Sequence, residues 1–227
     1  MRTKIVFLSF LAIAVTMTVS CKKKSDTSSN PSATVTDIDG NIYHTVLIGT
    51  QTWTVENLKV THYRNGDPVQ YVADSSSWIT LVSGAYCDYG NFTRNGVDYG
   101  HLYNWAVISD KRNICPAGWH VPTDDEWSLL ILYLGGENVA GAKMKEKGTA
   151  HWTNTDTDID NSSGLTALPG GYRFYTSQFL YIGDEGYWWS STGDGFTSPV
   201  RVIFSGNGVF RITSVSTCGY SIRCVKD

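Results

Sequence analysis

The residues of this sequence best suited to binding a ligand or a metal ion are a short run of aspartates and a set of aromatic side chains. Asp156, Asp158 and Asp160 occupy alternate positions in a polar segment, and Asn161 follows them. Hard cations are bound by oxygen ligands of this kind, so the spacing predicts a calcium site at the three aspartates. A polar loop in solvent is the simpler interpretation, because it needs no cation, and both interpretations stay open here.

Aromatic side chains are numerous, with 8 Trp and 13 Tyr in 227 residues. Aromatic faces stack on sugars and anchor protein interfaces. In the run from Tyr187 to Trp189, strand alternation places at least one ring in the core. We expect Trp189 to be buried together with Trp105, Trp119 and Trp127. The aromatic residues predicted to lie on the surface and contact a ligand are Trp152, Tyr175, Tyr181, Tyr187 and Trp188.

No arrangement of residues in the sequence indicates a catalytic site. The Gly-x-Ser-x-Gly and His-Glu-x-x-His motifs do not occur, and the five histidines are scattered without metal-binding spacing. A glycosidase needs two separated carboxylates in a cleft, and no local motif marks such a pair. The acidic run Asp124 to Glu126 stands where carboxylates cap a helix, which explains its position without catalysis. We therefore predict a protein that is not an enzyme and has no cofactor, calcium aside.

Cysteine usage indicates an exported protein with disulfide bonds. Apart from Cys21, the sequence holds Cys87, Cys115, Cys218 and Cys224, for which three pairings are open. No Cys-x-x-Cys motif occurs, so the spacing does not indicate zinc. Bonds between the two middle cysteines and the two late ones would fasten the end of the chain to its centre. We expect Cys115 to bond with Cys224, and Cys87 with Cys218.

Residues 1–20 have the pattern of a secretory signal peptide, with a basic start and an apolar run that is shorter than the about 20 residues of a membrane span. The run ends in Thr18-Val19-Ser20-Cys21, which resembles the lipobox of bacterial lipoproteins and implies cleavage before Cys21 and lipid attached to it. Residues 21–33 carry no large apolar side chain and are predicted to form a flexible tether. We expect a lipid-anchored protein of the cell envelope, in the outer membrane, on a leaflet that the sequence does not identify.

Charge and composition narrow the class of protein. The formal net charge is −3, and it becomes −5 once Arg2 and Lys4 leave with the signal peptide. Nucleic-acid-binding domains carry a basic patch, so nucleic acid is excluded as a partner. Many aromatic residues and glycines, with few charges, favour a secreted domain rich in strands and loops. The length of residues 34–227 fits one domain.

The clearest predicted element is a helix that begins after Thr123. Thr123 and Glu126 form a capping box, and Gly135 ends the helix. One face of this helix carries the apolar residues Trp127, Leu130, Ile131 and Leu134. Shorter helices are predicted near 102–106 and at 139–147, while residues 61–99 are predicted to be irregular. Strands are predicted at 34–38, 42–48, 52–55, 187–191, 200–204, 208–212 and 220–225.

Several sequence blocks together resemble the Fibrobacter succinogenes major paralogous domain family, from about residue 34 to 227. The blocks begin at Asp37 (DIDGNIY), Ile48 (IGTQTW), Glu56 (ENLK), Tyr99 (YGHLYNW), Cys115 (CPAGWHVPTDDEW), Leu168 (LPGGYR), Tyr187 (YWWSST) and Ser221 (SIRCV). Members of this family are mostly secreted or lipid-anchored bacterial proteins. The biochemical role of the family is poorly defined, so the resemblance implies a location more than an activity.

A more distant resemblance implies the fold. The start of the helix, His120 to Trp127, is similar to that of sulfatase-modifying-factor domains, which have a C-type-lectin-like fold. This implies an α+β fold with two short helices packed on small twisted antiparallel sheets with long irregular loops. The activity of those enzymes does not carry over. Their late cysteine pair binds copper, whereas we expect Cys218 and Cys224 to be in disulfides.

A binding module is the function that these observations favour. The expected ligand is a glycan or another surface protein, and the only other partner is the membrane, through the lipid anchor. C-type-lectin-like folds present loops to ligands, although function has to be argued from the site. Two alternatives remain: a structural component of the cell surface without a small ligand, and a carbohydrate-active enzyme.

Overall fold

A computed structural model describes residues 33–153, 158–193, 197–203 and 206–227 of the chain. In these ranges the strands are β1 (Thr34–Thr36), β2 (Ile42–Ile48), β3 (Gln51–Thr54), β4 (Gln70–Tyr71), β5 (Ala85–Cys87), β6 (Leu102–Tyr103), β7 (Trp119–His120), β8 (Gly170–Arg173), β9 (Phe179–Ile182), β10 (Gly186–Trp189), β11 (Thr197–Ile203), β12 (Val209–Val215) and β13 (Val225–Lys226). The helices are α1 (Ser75–Ile79), α2 (Thr93–Tyr99), α3 (Trp105–Ile108), α4 (Asp124–Tyr133) and α5 (Glu137–Met144). Ser32–Asp227 form one compact unit.

The strands of the described residues form three sheets. The first has the order β1-β2-β3-β13-β7, so that the last strand of the chain lies between the N-terminal hairpin and β7. The second has the order β12-β11-β10-β8-β9, and the third has the order β4-β5-β6. Neighbouring strands are antiparallel except for β4 with β5 and β8 with β10, which are parallel.

The prediction of a mixed α+β fold with small, mostly antiparallel sheets is confirmed. The number of helices differs from the expected two, because α1, α2 and α3 are present in addition to α4 and α5. Helices α1 and α2 lie in the region predicted to be irregular. Helix α1 begins at a local signal, since the Asp74 side chain accepts a hydrogen bond from the Ser77 backbone N–H at 2.7 Å.

Helix α4 has the predicted capping box. The Glu126 backbone N–H donates to Thr123 Oγ1 at 3.2 Å, and the Thr123 backbone N–H donates to Glu126 Oε2 at 2.8 Å. This reciprocal pair satisfies two backbone donors that have no partner within the helix. The predicted apolar face is buried at Trp127, Leu130, Ile131 and Leu134. Gly135 follows with a φ of 105°, as expected for the residue that ends a helix.

Strand β10 lies in the interior of the protein and is covered on both faces. Tyr187 and Trp189 belong to one hydrophobic cluster, which also holds Trp105 and Trp119. Trp188 points to the other face and belongs to a second cluster, with Trp127 and Trp152 among its members. The burial predicted for Trp105, Trp119, Trp127 and Trp189 is confirmed, but Trp127 lies in the second cluster and the other three lie in the first.

The cysteines form one disulfide bond in the described residues. Cys115 is bonded to Cys224, as predicted. The predicted bond between Cys87 and Cys218 is wrong, since both are free and buried. Their places in the core explain this: Cys87 packs in a small third cluster, whereas Cys218 packs in the first. Burial raises the pKa of the Cys87 thiol to about 12, so this thiol is unreactive at neutral pH.

Several predictions fall on residues that the structure does not describe. The signal peptide at residues 1–20, the lipidated Cys21 and the tether up to residue 32 lie outside the described residues, as does Asp156. The last tether residue, Ala33, is described. Its carbonyl accepts a hydrogen bond from the Thr45 backbone N–H at 2.7 Å, so the chain is held to strand β2 from this residue on.

Candidate functional site

Three of the motif residues meet in a buried contact network around Arg223. Arg223 Nε and Trp188 Nε1 both donate to Asn57 Oδ1, each at 2.8 Å. The other nitrogens of the guanidinium donate to the backbone carbonyls of Thr54, Leu165 and Thr166 at 3.0, 2.7 and 3.1 Å. Arg223 is 1% exposed and all three of its guanidinium nitrogens are engaged in these contacts, so it is not available to a ligand. These motif residues hold the fold together and do not form a site.

Arg173, in the motif that begins at Leu168, is also committed to the interior. Its Nη1 donates to the Val72 carbonyl at 2.7 Å, and its Nη2 donates to the Ala73 carbonyl at 3.0 Å. Its Nε donates to Ser177 Oγ at 3.0 Å, which fixes the turn between β8 and β9 from beneath. The guanidinium also lies 4.3 Å from the centre of the Trp78 ring. Arg173 therefore positions a turn and does not bind a ligand itself.

Three of the five aromatic residues predicted on the surface are buried, and that part of the prediction is wrong. Trp152 and Trp188 are each 1% exposed and Tyr187 is 6% exposed. The indole N–H of Trp152 has a hydrogen-bond partner inside the protein, because its Nε1 donates to the Ala167 carbonyl at 3.1 Å. Trp188 and Tyr187 are buried because strand β10 is covered on both faces. None of these rings can stack on a ligand.

The other two predicted aromatics, Tyr175 and Tyr181, are exposed, at 45% and 47%. They share one surface with Tyr172 and Phe174, which are partly buried. The ring of Tyr172 stacks on that of Tyr181 with 6.0 Å between centroids, and Phe174 packs against Tyr175 at 4.2 Å. We call this surface, formed by Tyr172, Phe174, Tyr175 and Tyr181, the tyrosine face. The sequence analysis did not identify Tyr172 and Phe174 as part of this surface. The signal that could have found them is the aromatic-rich segment after Gly171, in which three of the next four residues are aromatic.

The backbone at Tyr181 is strained in a way that presents its ring. Tyr181 has a φ of 66°, in the left-handed region that non-glycine residues rarely adopt. Gly171, on the neighbouring strand β8, has a φ of 60°, and a side chain there would collide with the backbone of Leu180 and Ile182. The Tyr181 carbonyl accepts hydrogen bonds from the backbone N–H groups of Asp184 and Glu185 at 3.1 and 3.0 Å. Such strain costs about 1–3 kcal/mol and persists where the surroundings enforce it, often at functional sites.

Buried tyrosines support the tyrosine face from below. The ring of Tyr187 lies 4.5 Å from that of Tyr172 and stacks on Tyr220 at 5.4 Å. The Tyr187 hydroxyl donates to a carboxylate oxygen of Glu185. Burial, with a smaller contribution from Tyr181, raises the pKa of the Tyr172 hydroxyl to about 12. The Tyr172 hydroxyl is therefore uncharged at neutral pH, and it can donate and accept hydrogen bonds.

The aspartates predicted to bind calcium are only partly described. Asp156 lies outside the described residues, while Asp158 and Asp160 are both exposed. Asp160 Oδ1 accepts a hydrogen bond from the Ser162 backbone N–H at 2.8 Å, the contact of a polar turn. The described residues contain no group of three side chains that could hold a metal ion. Calcium binding at these aspartates therefore remains a prediction.

Each of the five histidines contacts a carboxylate. The pairs are His44 with Glu56, His62 with Asp39, His101 with Asp88, His120 with Glu126 and Asp227, and His151 with Glu146. His120 connects two elements, because its Nε2 lies 2.9 Å from Glu126 at the start of α4 and its Nδ1 lies 2.7 Å from Asp227 after β13. Burial lowers the pKa of this ring, but the hydrogen bonds to Asp227 and Glu126 outweigh it and raise the pKa overall.

Replacement of His120 by glutamine is expected to remove a pH-dependent contribution to stability. Because the folded protein holds the proton more tightly, this contribution is complete below the unfolded-state pKa of about 6.5 and is lost as the pH rises through the higher folded-state pKa. Urea unfolding at pH 5 and pH 8 measures it. The free energy of unfolding lost in His120→Gln should be larger at pH 5, by less than about 1 kcal/mol for this half-exposed group. An equal loss at both pH values, or a larger one at pH 8, contradicts the expectation.

Comparison with known proteins identifies the family. Residues 46–226 match the family described as the Fibrobacter succinogenes major domain. No curated protein and no solved structure gave a significant match. Within the described residues, no helix combines the length and the apolar character needed to cross a membrane. Because the family match covers most of the sequence, the chain belongs to the Fibrobacter succinogenes major domain family.

Proposed function

We propose that this protein is a lipid-anchored lipoprotein of the bacterial cell envelope whose folded domain is a binding module. The signal-peptide pattern of residues 1–20 and the lipobox-like sequence ending at Cys21 support the anchor. The tether of residues 21–33 then separates the lipid from the domain. The outer membrane is the proposed location. Membership of a family found mostly in secreted or lipid-anchored bacterial proteins supports an envelope location.

The tyrosine face is the proposed ligand-binding surface, and a glycan is the proposed ligand. The observation that carries this proposal is the strained backbone of Tyr181, which presents an exposed ring beside Tyr172. Sugar rings offer apolar faces that pack on aromatic rings, and sugar hydroxyls can form hydrogen bonds with tyrosine hydroxyls. Hydrogen bonds within the protein hold both turns beside the tyrosine face. Arg173 donates to Ser177 in the turn between β8 and β9, and the Tyr181 carbonyl accepts from backbone N–H groups in the turn after β9. Such preorganisation reduces the entropic cost of binding.

We propose that the domain acts by binding and not by catalysis. The charged residues of the sequence motifs support this, because they are committed to internal contacts. Arg223 and Arg173 bind backbone carbonyls, and Glu126 caps helix α4 and contacts His120. A C-type-lectin-like arrangement is proposed for the fold. The helices α4 and α5 beside small antiparallel sheets, with long connecting loops, support this assignment.

A glycan array tests the proposed ligand. The probe is the chain from Ser32 onward, which contains all three hydrophobic clusters. We expect the unmodified chain to bind a subset of glycans and Tyr181→Gly to bind them at least about tenfold more weakly, since 1.4 kcal/mol corresponds to tenfold. Glycine adopts positive φ without strain, so this variant should fold normally. Repeating the array with a chelator tests the calcium prediction for Asp156, Asp158 and Asp160.

Tyr133→Ala is the matched control, because Tyr133 is an exposed tyrosine on α4, away from the tyrosine face. It should bind the same glycans as the unmodified chain. Equal binding by Tyr181→Gly and the unmodified chain would show that the tyrosine face is not the site. If no glycan binds, the glycan proposal fails, and a protein ligand or a structural role in the envelope takes its place.

A further inference from the structure

A cleft of about 450 Å³ opens beside helix α3, within the range of about 300–1,000 Å³ that ligand sites occupy. Trp105 at the start of α3 lines it, together with residues of α3, of the segment after α1 and of the segments that follow β10 and β12. We call it the Trp105 cleft and define it by the lining residues Val82, Trp105, Ser109, Ser191, Gly193 and Ser216.

The described residues that line the Trp105 cleft are uncharged and rich in hydrogen-bonding groups. Three of them are serines. Asn104, which also lines it, is already committed: its Nδ2 donates to the Ser83 carbonyl at 2.8 Å, and its Oδ1 accepts from the Ala85 backbone N–H at 3.0 Å. Serine hydroxyls and a tryptophan N–H, with no charge among the described lining residues, fit a neutral polyhydroxylated ligand, such as a sugar unit.

Two buried polar groups at this cleft have no hydrogen-bond partner among the described residues. They are the indole N–H of Trp105, a residue that is 4% exposed, and the hydroxyl of Ser198, which is 1% exposed. Both side chains lie against Gly193: a Cβ on this glycine would stand 2.7 Å from Trp105 Cζ2 and closer still to Ser198 Oγ. Buried polar groups in native proteins almost always have a partner. A ligand that reaches past Gly193 would supply one to each group.

The Trp105 cleft and the tyrosine face lie at the two ends of one short segment. Ser216 lines the cleft. Three residues later Gly219 pairs with Arg173, which stands between Tyr172 and Phe174: the Arg173 backbone N–H donates to the Gly219 carbonyl at 2.9 Å. Three steps along a chain span at most about 11 Å. The same two places are joined through the core, where Trp105 packs on Trp189 at 5.5 Å and Trp189 on Tyr220 at 4.7 Å.

We infer that the Trp105 cleft is a second subsite, which binds a neutral sugar unit of the same oligosaccharide that stacks on the tyrosine face. This inference rests on the proposed function and extends it from a single sugar to an oligosaccharide. The tyrosine face supplies stacking, and the cleft supplies the Trp105 N–H and the Ser198 hydroxyl. Affinity should therefore depend on the length of the sugar chain.

Calorimetric titration of the purified protein tests this, with linear neutral gluco-, manno- and xylo-oligosaccharides of one to six units as probes. For the sugar that binds, we expect affinity to rise at least about tenfold between two and five units, as 1.4 kcal/mol of added contacts would give. Ser109→Trp, on the exposed rim of the cleft, should abolish this rise and leave the affinity for two units unchanged. Thr36→Trp is the matched control, because Thr36 is exposed on β1 in the first sheet, whereas β10 and β12 beside the cleft belong to the second. This variant should keep the rise in affinity with the length of the sugar chain.

Ser198→Ala gives a second readout that does not depend on filling the cleft. Its hydroxyl has no hydrogen-bond partner among the described residues, so the variant should fold and melt like the unmodified protein. Ser198→Ala should bind an oligosaccharide of five units about fivefold more weakly than the unmodified protein does. Its affinity for an oligosaccharide of two units should be unchanged. A full rise with length in Ser109→Trp, or unchanged long-chain affinity in Ser198→Ala, overturns the cleft as a subsite while the tyrosine face stands. Absence of sugar binding by the unmodified protein instead overturns the proposed glycan ligand together with this inference.

Discussion

Replacement of Arg223 by methionine is expected to lower the free energy of unfolding by about 3 kcal/mol. The guanidinium serves four acceptors: Asn57 Oδ1 and the backbone carbonyls of Thr54, Leu165 and Thr166. A buried acceptor that loses its donor costs about 1–3 kcal/mol. Part of this is offset, because burial of the positive charge is itself unfavourable and lowers the pKa of Arg223 to about 9. Four buried acceptors lose their hydrogen bond, and this cost exceeds the gain from removing a buried charge. The variant is therefore less stable than the unmodified protein.

Urea unfolding followed by tryptophan fluorescence measures the effect of Arg223→Met. Arg223→Lys keeps the charge but has a single ammonium group in place of the planar fork, so it should recover only part of the stability. The matched control is Arg112→Met. Arg112 forms ion pairs with Asp110 and Asp67, but its side chain is 40% exposed, and exposed ion pairs contribute little to stability. Equal losses in Arg223→Met and Arg112→Met would contradict the structural role assigned to Arg223.

The elements with strong local signals were predictable from the sequence. Helix α4 has its capping box at Thr123 and Glu126 and its buried apolar face at the predicted residues. Strand β2 occupies the predicted residues 42–48. Residues 61–99 were not predictable, because α1 has five residues and α2 has seven. Helices this short depend on tertiary contacts and leave little periodicity to detect. Trp78 illustrates this: it lies on α1, is fully buried, and donates from its Nε1 to the Thr217 carbonyl.

The candidate site was only half predictable, and strand β10 shows why. Alternation identified Trp189 as buried but assumed that the opposite face of the strand met solvent. In the structure that face meets a second cluster, so Trp188 is buried as well. Sequence alternation separates two faces, but it does not show whether one of them is exposed. Tyr175 and Tyr181 are exposed because they lie in and near turns, and the strain at Tyr181 leaves no signal in the sequence.

The motif blocks that identify the family are mainly structural. Asn57, Trp188 and Arg223 come from three separate blocks and meet in one hydrogen-bond network. Arg173 and Glu126, from two further blocks, also make internal contacts. The tyrosine face mixes the motif residue Tyr172 with Phe174, Tyr175 and Tyr181, which lie outside the blocks. Family membership therefore follows from the residues that build the fold, whereas the ligand depends largely on residues outside those blocks.

Loss of the disulfide between Cys115 and Cys224 is expected to lower the free energy of unfolding by about 4–5 kcal/mol. The two cysteines are 109 residues apart in sequence. Closing a loop of about 100 residues removes unfolded-state entropy worth about 4.7 kcal/mol. The bond also holds β13 in place, and this strand pairs with both β3 and β7 in the first sheet. Cys115→Ser combined with Cys224→Ser should show this loss in urea unfolding.

Reductant separates the disulfide from the general cost of altering two buried residues. For the chain from Ser32 onward, reductant should destabilise the unmodified protein and Cys87→Ala to a similar extent, since Cys87 is a free thiol. It should have no effect on the double serine variant, which has no disulfide to lose. Thiol titration of the unfolded, unreduced chain should find two reactive thiols, Cys87 and Cys218, because the bonded pair does not react. No reactive thiols would indicate a second disulfide, and four would indicate that the bond between the centre and the end of the chain does not form.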